Sequence, residues 1–219
     1  MLNEVFYRKC IQCGLRTESS SPVCPDCMEQ QEKYDFACES CGYPANVPVK
    51  VCGKCTGRKY RDKIYITYKY RGAVKQLIRD IKFSFRMTGI SSVGELIDTE
   101  MLGQYDLITD VPSHFTRKLR RRAHPAGMLA KYMADKLNCT YKTVLNRTRR
   151  TEYQYKLKKK QRASNVNGAF TCTFDVRGLK ILLVDDIITT GSTIEECSRI
   201  LKKSGAVKVD VYALTGGNM

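Results

Sequence analysis

The stretch Ile181–Glu195, ILLVDDIITTGSTIE, decides how this chain is expected to fold. Four apolar residues, Ile181 to Val184, form an unbroken run suited to a strand buried on both faces. Asp185 and Asp186 follow at the point where such a strand is expected to leave its sheet. Thr189-Thr190-Gly191-Ser192-Thr193 then opens into a helical pattern, with Ile194, Cys197, Ile200 and Leu201 on one face and Glu195 in the first turn. Open α/β sheets take their ligands at the carboxyl ends of strands. A helix N-terminus presents unpaired N–H groups that favour phosphate. Gly191 lets the backbone come close to that phosphate, and Thr189, Thr190, Ser192 and Thr193 add hydroxyl donors. Two adjacent carboxylates are poor phosphate ligands, but they suit sugar hydroxyls or a Mg²⁺ held by the ligand. A solvent-facing turn capped by Thr and Ser would account for the loop alone. It would not account for the strand, the acidic pair and the helix in this order.

The same residues closely resemble the phosphoribosyl pyrophosphate (PRPP) motif of type I phosphoribosyltransferases. That resemblance implies that Asp185 and Asp186 bind ribose hydroxyls and that Thr189, Thr190, Gly191, Ser192 and Thr193 bind the 5′-phosphate.

With 219 residues and 42% hydrophobic content the chain can hold one moderate domain and a small second one. A mean hydropathy of −0.38, no apolar run of membrane-spanning length and no signal-peptide core in MLNEVFYRKC lead to the expectation of a cytoplasmic protein. The formal charge is +16, and it is concentrated. Between Arg117 and Arg162 sixteen Lys and Arg face two acids, Asp135 and Glu152, so this segment carries +14.

Eight of the eleven cysteines form four C-x-x-C pairs, Cys10/Cys13, Cys24/Cys27, Cys38/Cys41 and Cys52/Cys55, repeating with a period of 28 residues. Disulfides are disfavoured in a reducing compartment, and a thioredoxin-like pair would need one motif in a βαβ context. Tetrahedral structural zinc fits the spacing and would supply folding free energy to a segment with little core. The four pairs could join consecutively, first with second and third with fourth, or interleaved; the ten-residue spacer inside each repeat favours the consecutive form. Cys139, Cys172 and Cys197 lack such partners and read as core residues.

The polar stretch Thr56–Lys63 reads as a linker, giving a cysteine-rich unit over 1–60 and a second domain over 61–219. Ile64–Tyr70 predicts a strand. Ala73, Val74, Leu77, Ile78 and Ile81 predict an amphipathic helix, and Gly94–Leu102 another. Asp106–Pro112 predicts a buried strand, Met128–Leu137 a helix, Tyr141–Leu145 a strand, and Val207–Leu214 a last alternating strand. The basic residues Arg117, Lys118, Arg120, Arg121 and Arg122 follow the second of these strands. Arg147, Arg149, Arg150, Lys158, Lys159, Lys160 and Arg162 are interleaved with Tyr153 and Tyr155. Cations for phosphates and rings for stacking are what single-stranded nucleic acid binding uses, although such runs are often only solvated faces.

Taken end to end, the chain resembles the ComF family of competence-associated proteins. The matches are the four cysteine pairs, Lys82-Phe83, Asp110-Val111-Pro112, Gln154…Leu157…Arg162…Asn165-Val166…Gly168-Ala169-Phe170, and Asp185-Asp186…Thr189-Thr190-Gly191-Ser192-Thr193. The resemblance implies an α/β fold of type I phosphoribosyltransferase kind, a mostly parallel sheet flanked by helices, with a small N-terminal zinc ribbon domain. It implies zinc in the ribbon, PRPP with magnesium, and a pyrophosphate loop at Pro112 and Ser113. Natural transformation would be the setting, with single-stranded DNA and DNA-translocation proteins at the inner face of the membrane as partners. An active phosphoribosyltransferase using an unidentified acceptor is the alternative. The family's R-G-F-N-Q segment reads Arg121-Arg122-Ala123-His124-Pro125 here. His124 could act as an acid or base, but a lone histidine in a basic loop most often has no catalytic task.

Overall fold

The computed structural model describes residues 8–17, 22–53, 55, 60–83, 96–112, 124–148 and 168–217. The cysteine-rich part contributes β1 (Arg8–Lys9), β2 (Arg16–Thr17), α1 (Pro25–Glu29), β3 (Phe36–Ala37) and β4 (Pro44–Ala45). The body follows with β5 (Ile64–Lys69), α2 (Gly72–Phe83), β6 (Leu107–Asp110), α3 (Pro125–Lys136), β7 (Thr140–Tyr141), β8 (Leu145–Arg147) and β9 (Phe170–Cys172). It ends with β10 (Lys180–Ile188), α4 (Ser192–Lys203) and β11 (Lys208–Gly216).

Five strands form one sheet in the order β5-β11-β10-β6-β7, and every neighbouring pair is parallel. The apolar run of β10 explains its central place. Leu182 and Val184 join Ile108, Tyr212 and Leu214 under α2 and α3. Ile181 and Leu183 join Leu107, Val211 and Ala213 under Ile194, Cys197 and Leu201 of α4. Each side chain buried in this way contributes roughly 1.5–3 kcal/mol. The antiparallel β8–β9 pair and the second cysteine group extend the α4 layer, since Leu145, Phe170, Cys38, Cys41 and Tyr43 share its cluster.

Four expectations need correction. The strand carrying the acidic pair does not end at Val184. It runs on to Ile188, because β11 is as long and pairs Ala213 with Asp185 and Thr215 with Ile187. Thr215 Oγ1 also donates to the Asp186 carbonyl at 3.1 Å. The last strand does not alternate: it lies between β5 and β10 and is buried from Val209 to Gly216. Tyr141–Leu145 is not one strand. The chain leaves the main sheet after Tyr141 and re-enters pairing at Leu145 with β9, while the Val144 amide donates to Thr109 Oγ1 at 3.2 Å. Finally, of the helix expected over Gly94–Leu102, residues 94 and 95 lie outside the described residues and Leu96–Leu102 is not helical. Asp98 Oδ1 accepts from the Glu100 amide at 3.0 Å, a local bond that competes with helical pairing.

The cysteine-rich part lies against the body. The Ile64 amide donates to the Cys41 carbonyl at 2.9 Å and the Lys69 amide to the Glu32 carbonyl at 2.8 Å; Lys33 bridges to Tyr68. Gly42 has φ +72°, and a Cβ there would fall 2.1 Å from the Ile64 carbonyl oxygen, so only glycine permits this approach. Of the expected linker, 56–59 lie outside the described residues. Tyr60 to Lys63 are bonded to α4 and β11 through Glu195, Val209 and Asp210.

Candidate functional site

Parallel strands all end at one edge, and the chain's distinctive polar residues gather there. At the end of β10 the side chains alternate between faces. Asp186 shares the face of Leu182 and Val184 and is buried against Lys82, with which it forms an ion pair at the end of α2. Asp185 points to the opposite face and is half-buried; its Oδ1 accepts from the Asp186 amide at 2.9 Å. Burial, and then the neighbouring Asp186 charge, push the Asp185 carboxyl well above the usual carboxylate range.

Gly191 caps α4 in the left-handed conformation, φ +78°, and among the described residues nothing stands within 4 Å of where its Cβ would be. Among those residues the main chain is uncovered at the turn. Thr190 Oγ1 and Ser192 Oγ are 3.1 Å apart. Thr189 is exposed, and Thr190 to Thr193 are half-buried. An anion seated here would meet the amide end of the α4 N-terminus. Pro112 follows β6 at the same edge and is buried. Ser113 lies outside the described residues.

A second cluster stands on β6, and sequence reasoning missed it. Asp110, only 2% exposed, is bonded through Oδ2 to His124 Nε2 at 2.8 Å; its Oδ1 accepts from Tyr141 and Thr143 hydroxyls, each at 2.9 Å. Burial works to raise the Asp110 carboxyl, yet the bonds from His124, Thr143 and Tyr141 outweigh it and hold it below its ordinary value. His124 is the N-cap residue of α3. In the sequence Asp110 stands out only within the Asp110-Val111-Pro112 match and His124 only as a lone histidine; no local spacing signals that residues fourteen apart meet across a helix start.

The cysteines form two groups, Cys10/Cys13/Cys24/Cys27 and Cys38/Cys41/Cys52/Cys55, the sulfurs of each lying within 4.8 Å of one another. This is the consecutive pairing. Cys13–Cys24, Cys38–Cys55, Cys41–Cys52 and Cys52–Cys55 sulfurs are 3.8, 3.7, 3.6 and 3.9 Å apart. A tetrahedron with Zn–S bonds of about 2.3 Å has edges of about 3.8 Å, so both groups fit the metal. Burial opposes ionisation of Cys38, but amides of Cys41 and Cys52 overcome it and bring the thiol to about 6. Cys10 is brought to about 6 in the same way by amides of Cys13 and Cys24. Cys197 is fully buried and Cys139 and Cys172 partly so.

Of the expected nucleic-acid residues, Arg147 is described: it is half-buried on β8 with its guanidinium 5.1 Å from the centre of the Phe170 ring. Arg117, Lys118, Arg120, Arg121, Arg122, Arg149, Arg150, Tyr153, Tyr155, Lys158, Lys159, Lys160 and Arg162 lie outside the described residues.

Residues 125–218 match the phosphoribosyl transferase domain family. The DNA utilization protein YhgH of Escherichia coli K12 is 29% identical over 202 residues, 88% of this chain and 89% of that protein. Competence protein F of Haemophilus influenzae is 27% identical over 223 residues, 95% of this chain and 97% of that protein. Over most of its length the chain is thus similar to proteins named Competence protein F and DNA utilization protein YhgH. Over 102 residues, 42% of this chain and 37% of the relative, it is also 35% identical to the ribose-phosphate pyrophosphokinase of Pyrococcus furiosus. Among the described residues no helix is long and apolar enough to cross a membrane.

Proposed function

We propose that this chain binds PRPP with Mg²⁺ at the β10–α4 turn and engages single-stranded DNA through its basic segments, as a cytoplasmic factor in competence or DNA utilization. The observation that carries the ligand reading is the arrangement at the sheet's carboxyl edge. An open Gly191 turn sits at a helix N-terminus, with Asp185 and Asp186 at the end of the same strand. The turn suits the 5′-phosphate and the carboxylates suit ribose hydroxyls or the Mg²⁺ that PRPP brings. Lys82, paired with Asp186, adds a cation beside the place an anionic ligand would occupy. Pro112 and Ser113 would border the pyrophosphate.

The DNA reading rests on the +14 segment between Arg117 and Arg162 and on the names of the full-length relatives. In this reading structural zinc fills both cysteine groups, the units 1–60 and 61–219 act together, and competence DNA-translocation proteins are the partners.

The deciding experiment is a calorimetric titration with PRPP and Mg²⁺, with and without a single-stranded oligonucleotide. Binding that requires Mg²⁺ and is weakened roughly ten- to hundredfold in Asp186→Asn supports the ligand reading; no binding removes it. Oligonucleotide affinity should fall with salt by about 0.7 log units per neutralised phosphate per log unit of salt, and a flat response would remove the basic segments from the account. A second reading, turnover of PRPP by phosphoribosyl transfer, is favoured by the Asp110–His124 pair at the same edge.

A further inference from the structure

The Asp110–His124 pair is not needed to bind a sugar phosphate, and its construction points to proton transfer. Asp110 pairs in register with Val184 of β10. Residues in register on parallel strands share a face, so Asp110 lies on the face that carries Asp186 two positions further along β10. The helix α3 links two parallel strands and runs back along the sheet, so its N-cap, His124, stands over the carboxyl edge beside the acidic pair. The imidazole is 28% exposed while the carboxylate beneath it is 3% exposed. One ring nitrogen is therefore fixed in the interior and the ring still reaches solvent.

The chemistry of the contact fixes the tautomer. Asp110 already accepts two hydroxyl donors, from Tyr141 and Thr143, and its carboxyl is held ionised. An ionised carboxylate only accepts, so His124 Nε2 carries the hydrogen and Nδ1 of the neutral ring carries the lone pair. Gly127 keeps this arrangement closed: a Cβ there would stand 2.9 Å from His124 Cδ2 and 3.3 Å from the Tyr141 hydroxyl. A carboxylate that orients a histidine whose far nitrogen can take a proton is the arrangement by which weak nucleophiles are activated.

We propose that His124 is the general base for attack on the anomeric carbon of PRPP, with Asp110 as its positioning residue. The inference rests on the PRPP reading of the β10–α4 turn. In the step, an O–H nucleophile, water in the simplest case, forms a bond from its oxygen to C1 of the ribose. The C1–O bond to pyrophosphate breaks and its electron pair leaves with the pyrophosphate. The nucleophile's proton passes to His124 Nδ1, and the products are ribose 5-phosphate and pyrophosphate. Among the described residues, the titratable and charged groups near the pair are Tyr141 from β7, with Asp186 of β10 and Lys82 of α2 on the same face of the edge. The first turn of α3 carries no acid.

The test follows pyrophosphate release from PRPP and Mg²⁺ with water as the only acceptor, across a pH series, for the unaltered protein, His124→Gln and Asp110→Asn. PRPP affinity is measured by calorimetry in parallel, and folding by thermal melting. The half-exposed His124→Gln should fold and bind PRPP within about twofold of the unaltered protein. It should release pyrophosphate at least about 100-fold more slowly, the scale of a lost general base, and it should lack the rising limb of the pH profile. Asp110→Asn should slow release without removing PRPP binding. Pyrophosphate release by His124→Gln at the unaltered rate and pH profile, or no release by a protein that binds PRPP, would overturn the proposal. Failure of the unaltered protein to bind PRPP would overturn the ligand reading itself, and calorimetry separates the two results.

Discussion

Arg61 and Glu195 join the strap that leaves the second cysteine group to the first turn of the helix at the candidate phosphate site. The ion pair is largely buried, at 8% and 22% side-chain exposure, and the Tyr60 amide adds a bond to Glu195 Oε1 at 3.0 Å. Glu195 is itself anchored, its amide donating to the Gly191 carbonyl at 2.9 Å. Truncating one partner of such a pair leaves the other buried and uncompensated. Arg61→Met should therefore destabilise the protein by about 3–5 kcal/mol. Urea unfolding checks this, and a change under 1 kcal/mol would mean the pair is solvent-screened.

The acidic pair and the loop carry the ligand reading by hydrogen bonds to a charged ligand, each worth about 1.5–3 kcal/mol. Asp186→Asn and Thr190→Val should each weaken PRPP binding by roughly ten- to hundredfold. Unaltered calorimetric affinity in both would place the ligand elsewhere.

Asp185 gives a prediction of opposite sign for stability. Its folded carboxyl lies above the ordinary value, through burial first and the Asp186 charge second. The folded state thus holds its proton more tightly than the unfolded chain. The associated cost is absent below the unfolded carboxylate pKa and grows as pH rises through the folded one. Asp185→Asn should raise the melting temperature at pH 7, with the gain shrinking toward pH 4, while PRPP binding is lost. Equal melting at both pH values would show that Asp185 is solvated.

Asp110 behaves the other way. Its folded carboxyl is depressed, so its contribution is present above the unfolded pKa and is lost as pH falls through the folded one. Thr143→Ala removes one of its donors and should destabilise the protein most above about pH 4, with the difference from the unaltered protein shrinking as pH falls below that value. Acid-unfolding curves that superimpose would contradict this.

Metal removal should not act equally at the two cysteine groups. The second shares its apolar cluster with α4 and bonds β5 through Cys41, whereas the first packs mainly against Ala73 at the start of α2. Cys38→Ser should release one zinc and speed hydrogen exchange in β5 and α4; Cys13→Ser should release one and affect the start of α2. Zinc content by mass spectrometry with segment-resolved exchange reads both outcomes.

The local patterns were the legible part. Ile181–Val184 announced a central strand because four apolar residues in a row leave no face for water, and C-x-x-C repeats announced two four-cysteine groups because sulfur spacing is set within a turn. Helical spacing from Ala73 to Ile81 gave α2 for the same local reason. What escaped was set by partners distant in the chain. The extra length of β10 comes from β11, the Asp110–His124 contact from the return of α3, and the Arg61–Glu195 tie from residues 134 apart. A polar strap such as Tyr60-Arg61 looks solvated until the helix it crosses is in view.

The bonds from Cys41 and Glu32 to β5 have one more implication. β5 is the outermost strand beside β11, and those two bonds, with the Lys33–Tyr68 bridge, occupy its outer side. A fragment beginning at residue 61 would bare that margin, and bare strand margins recruit other chains. Such a fragment should self-associate in light scattering, whereas the intact chain, bringing its own sealing strip, should not.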